Sequence, residues 1–149
     1  MKKFIFTVAL GTMICAGAAN AADQTVELGV TSNLHLSNGS SSTPEPFKIL
    51  LEGCSGETPG SVTTTFKGLQ ADEDTALLRL IGSASGAAIA INDYKDQQIK
   101  MGEASPAYNL ATGNNELDFS ANLKGFGSEE KPAVPGKFTA IANFTLDYN

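Results

Sequence analysis

The side chains in this sequence that could carry covalent chemistry are few: one histidine, His35, and two cysteines, Cys15 and Cys54. A cysteine nucleophile needs a base to generate its thiolate, and imidazole is the usual one. His35 and Cys54 are separated by a polar stretch of Ser, Asn, Gly and Pro that gives no reason for them to meet. One Cys and one His cannot complete a zinc tetrahedron. The carboxylates Asp72 and Asp74 stand in Ala71-Asp-Glu-Asp-Thr75, which lacks the glycine of a calcium loop and reads as a solvated acidic turn. Gly82 and Gly86 lack the G-x-G-x-x-G spacing of a phosphate cradle. Asn38-Gly-Ser40 and Asn143-Phe-Thr145 fit the glycosylation sequon, a weak signal. The expectation is a protein that is not an enzyme and uses no metal or cofactor.

The N-terminus suggests where the chain goes. Lys2 and Lys3 precede an apolar run from Phe4 to Ala18, followed by Ala19-Asn20-Ala21, a small-x-small site of the kind a signal peptidase cuts. The run is shorter than the roughly 20 residues a spanning helix needs, and no other segment could span a bilayer. Residues 1–21 are therefore expected to be a removed signal peptide, and residues 22–149 one domain with a real core. Cys15 would leave with the leader, so Cys54 is expected to be unpaired in a compartment that favours disulfides. All sixteen acidic residues lie beyond residue 21, against eight basic ones, for a net charge of −8. An acidic exported chain with no basic patch is not a nucleic-acid binder.

The elements behind these residues read as strands. Val26, Leu28, Val30, Leu34 and Leu36 share one parity, as do Phe47, Ile49 and Leu51, then Val62, Thr64 and Phe66, and later Leu117, Phe119, Ala121 and Leu123. Leu77-Leu-Arg-Leu-Ile81 reads as a short strand, and Ile89 and Ile91 share a face of another. Loops rich in Ser, Gly, Asn and Pro separate these runs. The terminal segment puts Phe138, Ala140, Ala142, Phe144, Leu146 and Tyr148 on one side, an apolar stripe that something must cover. Seven to nine strands at this spacing imply an all-β, two-layer sandwich.

In order and spacing, these segments resemble the fimbrial subunits of bacterial pili assembled by the chaperone/usher route. The resemblance runs from about Asp23 to Asn149. It rests on Asp23-Gln-Thr-Val-Glu-Leu-Gly29, Pro46-Phe-Lys-Ile-Leu-Leu-Glu-Gly-Cys54 and Val62-Thr-Thr-Thr-Phe-Lys-Gly68. Leu77-Leu-Arg-Leu80, Ala88-Ile-Ala-Ile-Asn-Asp93, Gly102-Glu-Ala-Ser-Pro106 and Leu117-Asp-Phe-Ser-Ala121 follow. The ending carries most of it, with Gly136 ahead of the alternating stripe and Tyr148 penultimate.

The resemblance implies an incomplete immunoglobulin-like β-sandwich, completed by donor-strand complementation. A periplasmic chaperone, and then at the outer-membrane usher another pilus subunit, would lend the missing strand. Gly136, Phe138, Ala140, Ala142, Phe144, Leu146, Tyr148 and Asn149 would form the groove and the chaperone contact. The family's usual donor extension and first strand, whose Cys bonds to the one matching Cys54, are missing between the leader and Asp23. That departure implies a minor or fibre-end subunit of a surface fimbrium, accepting a strand without giving one. A second reading makes Val26, Leu28, Val30, Leu34 and Leu36 themselves the donor strand. A different class is a secreted carbohydrate-binding adhesin module, with Tyr94 and Tyr108 as stacking side chains.

Overall fold

The computed structural model describes residues 4–9, 13–14, 23–29, 36–55 and 60–149. Val30, Leu34, His35, Cys15 and the expected cut after Ala21 lie outside the described residues. The strands in chain order are β1 (Phe4–Ala9), β2 (Met13–Ile14), β3 (Asp23–Gly29), β4 (Glu45–Cys54), β5 (Ser61–Gly68) and β6 (Ile81–Gly82). They continue as β7 (Ala87–Asn92), β8 (Gln98–Ile99), β9 (Tyr108–Asn109), β10 (Gly113–Gly125), β11 (Phe138–Thr139) and β12 (Ile141–Tyr148). One sheet runs β3-β1-β12-β5-β9, a second β2-β4-β10-β7-β8, and β11 and β6 form a short ribbon. The fold is all-β, as the alternation implies.

The period of two decides which faces are buried. In β4, Phe47, Ile49 and Leu51 point inward while Lys48 and Leu50 are exposed. Its antiparallel partner β10 sets Phe119 opposite Phe47 and Leu117 opposite Ile49, so two inward rows merge into one layer. From the other sheet, β5 presents Val62, Thr64 and Phe66, all buried. Phe66 meets Phe119 edge-on at 5.1 Å and Phe47 at 6.1 Å, and Phe47 stacks on Phe119 at 5.6 Å. The two contacts of Phe66 cross between the sheets and anchor the sandwich.

Two expected strands come out differently. Leu77–Leu80 forms no regular strand: Asp74 Oδ1 accepts from the Ala76 N–H at 2.9 Å, and the Leu77 N–H donates to the Asp74 carbonyl at 3.0 Å. This turn leaves Leu78 with bridges to Gln70 and Ile89. The terminal stripe is broken at Ala140 into β11, which pairs with β6, and β12, which pairs with β5. Strand β7 is buried on both faces, because Ala88 and Ala90 pack with Ala71 and Leu77 in a second cluster. Gly86 makes the entry to β7 possible: its φ is +80°, and a Cβ there would come within 2.8 Å of the Ala133 Cα.

The segment read as a leader also takes part in the fold. β1 lies between β3 and β12, antiparallel to the first and parallel to the second, and β2 runs parallel to β4.

Candidate functional site at the edge of the terminal strand

β12 pairs with β5 from Ala142 opposite Gly68 to Tyr148 opposite Val62. Asn149 extends this ladder: its N–H donates to the Ser61 carbonyl at 2.9 Å, and its carbonyl accepts from the Ser61 N–H at 3.1 Å. The opposite edge of β12 is different. β1 covers it at two positions, Thr7 opposite Ile141 and Val8 opposite Ala142. Among the described residues no strand pairs with that edge from Asn143 to Tyr148.

The stripe divides at the same place. Phe138, Ala140 and Ala142 are buried, whereas Phe144, Leu146 and Tyr148 are half-buried while packing on the core. Phe144 sits 6.3 Å from Phe66, so its inner side belongs to the aromatic cluster. Gly136 is buried where the chain approaches β12, and a Cβ there would lie 2.5 Å from Ser83 Oγ and 2.6 Å from the Ala84 nitrogen. Half-buried apolar side chains thus lie on β12 next to the edge where β1 separates it from β3.

Of the residues considered as a possible donor strand, Val26 and Leu28 are buried in β3 and Leu36 is buried in the turn after it. All three join this chain's own core cluster, which leaves them unavailable to a neighbour in this structure. The expectation of an unpaired Cys54 is corrected: Cys54 is disulfide-bonded, and no cysteine among the described residues is free. The sequence's other cysteine is at position 15. A disulfide sulfur is no thiolate, which removes the nucleophile chemistry considered for Cys54. Asp74 is used in its turn, and Asp72 pairs with Arg79. No group of three or more His, Cys, Asp or Glu among the described residues could hold a metal ion, and no helix among them is long and apolar enough to cross a membrane.

Sequence reasoning missed β1. Phe4-Ile-Phe-Thr-Val8 is rich in aromatic and β-branched residues, a strand signal hidden inside an apolar run that also fits a leader.

The fimbrial protein family model matches residues 6–149. The chain belongs to that family. This pilin is 46% identical over 146 residues to the fimbria A protein of Serratia marcescens, covering 98% of its own length and 83% of the relative's. It is 40% identical over 174 aligned positions to the major MR/P fimbria protein of Proteus mirabilis, covering 99% and 98%. Among solved structures it resembles the P pilus rod subunit PapA with a TM-score of 0.73 and 26% identity, covering 85% of this pilin and 93% of that chain. A chaperone-usher pilus structure matches with a TM-score of 0.71 and 27% identity, covering 85% and 82%. The pilin is thus a structural pilus subunit with an immunoglobulin-like fold, in a family that is not one of enzymes.

Proposed function

We propose that the slot between β3 and β12 receives a strand from another polypeptide, and that this joins the subunit into a surface fimbrium supporting adhesion. The observation that carries this reading is the placement of β1. A single strand lies between β3 and β12, and among the described residues it pairs with β12 at Ile141 and Ala142, ahead of the half-buried Phe144 and Leu146. Cleavage after Ala21 would remove β1 and open the slot along its full length, and because it also removes Cys15, Cys54 would then have no partner cysteine in residues 22–149.

A periplasmic chaperone fills the slot first, and at the outer-membrane usher a neighbouring subunit replaces it. Backbone hydrogen bonds to the edge of β12 give affinity, and alternate side chains settling on the floor give specificity. Five apolar donor side chains at about 1.5–3 kcal/mol each contribute about 8–15 kcal/mol gross, before the cost of ordering the donor is subtracted. No catalytic role is proposed. Mass measurement on protein from the periplasm tests this reading. A mass starting at Ala22 together with a bound chaperone supports it, and a monomer retaining residues 1–21 with no partner contradicts it.

A further inference from the structure

Asn38 is the only asparagine in this sequence that precedes a glycine. The fold treats it differently from the asparagines it buries. The Asn92 amide donates to Ser120 Oγ at 3.2 Å and to Asn122 Oδ1 at 2.8 Å, and both asparagines are buried. Asn115 is buried too, its Oδ1 accepting from the Ala111 N–H at 2.9 Å while its amide donates to the Ala111 carbonyl at 2.8 Å. Asn38 is exposed in a turn, and no hydrogen bond among the described residues holds its carboxamide. Gly39 follows with φ +72°, its N–H donating to the Leu36 carbonyl at 3.2 Å. A single bond in an exposed turn opens at little cost, which frees the Gly39 nitrogen to react.

The reaction open to this pair is intramolecular. The Gly39 nitrogen attacks Asn38 Cγ, a new C–N bond forms, the bond from Cγ to the amide nitrogen breaks, and ammonia leaves with the proton that Gly39 gave up. Water then opens the resulting succinimide at either carbonyl, giving aspartate or isoaspartate, with no oxidant or reductant consumed. Glycine has no side chain to shield the attacking nitrogen.

Isoaspartate runs the main chain through Cβ and lengthens it by one atom, and this stretch has no slack. Beyond the turn, the Ser40 carbonyl accepts from the Gly125 N–H at 3.0 Å, the Ser42 N–H donates to the Leu123 carbonyl at 2.8 Å, and Ser42 Oγ accepts from the Leu123 N–H at 2.9 Å. Ahead of it, Ser37 Oγ accepts from the Ala133 N–H at 2.8 Å, and Leu36 is buried in the core cluster, where it walls an apolar cavity with Leu80, Leu123 and Phe138. The backbone of Ser37 lies directly on Gly127, where a Cβ would come within 2.4 Å of the Ser37 Cα. The end held on β10 has more bonds to lose, so the added atom displaces Ser37 and Leu36. We propose that Asn38 is a modification site at which the folded subunit deamidates spontaneously, and that the isoaspartate formed there undocks Leu36 from the core.

Peptide mass measurement on the purified full chain, aged at mildly alkaline pH, tests the site. The expected result is a gain of about 1 Da that appears first in the peptide carrying Asn38, with isoaspartate detected there by enzymatic methylation. Its rate in the folded protein should lie within about tenfold of that in the denatured chain, because the turn opens readily. The aged protein should melt at least about 3 °C lower than fresh protein. Aged Asn38→Ser, which cannot form the succinimide, and fresh Asn38→Asp, which adds the charge without lengthening the main chain, should both melt like fresh wild type. A folded-state rate more than about tenfold below the denatured one, or an earlier gain at another asparagine, overturns the site. Protein that carries isoaspartate at position 38 and melts like fresh protein overturns the undocking of Leu36.

Discussion

Ala142 of β12 lies opposite Val8 of β1 on one edge while facing Gly68 of β5 on the other. Among the described residues the first pairing goes no further, and the second continues to Tyr148. In the proposed assembly, that asymmetry divides the part of β12 covered by β1 from the part offered to a donor strand.

Phe144→Asp or Leu146→Asp places a carboxylate on the floor of the slot. Burying it under an incoming strand without a partner costs several kcal/mol. Co-purification with the periplasmic chaperone should fall to less than about a tenth of the wild-type level. Unchanged capture would show that the strand binds elsewhere.

Phe66→Ala should destabilise the strand-completed subunit by about 3–5 kcal/mol, because Phe66 is fully buried and touches Phe47, Phe119 and Phe144. Thermal melting of the chaperone complex should drop by roughly 10 °C or more. A shift of a degree or two would mean that the ring cluster is not the anchor of the sandwich.

Gly125→Ala tests the place of Leu36. A Cβ at Gly125 would run into the backbone carbonyl of Leu36, so the turn carrying Leu36 must move if it is docked on its own chain. Overpacking of this kind costs about 1–3 kcal/mol and should lower the melting temperature accordingly. No change would return Leu36 to the candidates for donation to a neighbour.

Lys48 provides a pH test. Its ammonium donates to Glu116 Oε2 at 2.6 Å and lies 3.9 Å from Asp118, so the hydrogen bond to Glu116 and then its charge raise the lysine pKa above 10.5. A raised folded-state value means the stabilising contribution is complete below pH 10.5 and disappears as the pH climbs through the folded value. Both side chains are about half exposed, so solvent screening keeps the effect small. Glu116→Gln should shift the melting temperature by about a degree at most at neutral pH, and not at all once Lys48 is neutral. A difference that persists when Lys48 has lost its proton would assign the effect to another contact.

Much of this architecture was legible in the sequence, because half-buried strands write their inward face as every second residue. Phe47, Ile49 and Leu51, or Leu117, Phe119, Ala121 and Leu123, could hardly be read otherwise. What stayed hidden depends on tertiary neighbours. Leu77 to Leu80 carry strand-like residues, but the Asp74 turn and the bridge to Ile89 take them out of a sheet. Ala88 and Ala90 look like an outer face until Ala71 and Leu77 cover them. The terminal stripe is continuous in sequence, yet the switch of pairing partner at Ala140 divides it. The disulfide of Cys54 was obscured by reading residues 1–21 only as a leader, since one apolar run satisfies both an export signal and a strand. The apolar stripe was recognisable, but its split into the buried Phe138, Ala140 and Ala142 and the half-buried Phe144, Leu146 and Tyr148 was not, because burial depends on neighbours distant in sequence.

The most direct measurement is thermal unfolding of residues 22–149 with and without a synthetic strand of alternating apolar residues that copies a neighbouring subunit's N-terminal extension. The expected result is an aggregating or non-cooperative protein by itself and a sharply melting monomer once the peptide is added. A soluble monomer that melts cooperatively without peptide, at a temperature the peptide does not change, would contradict the account.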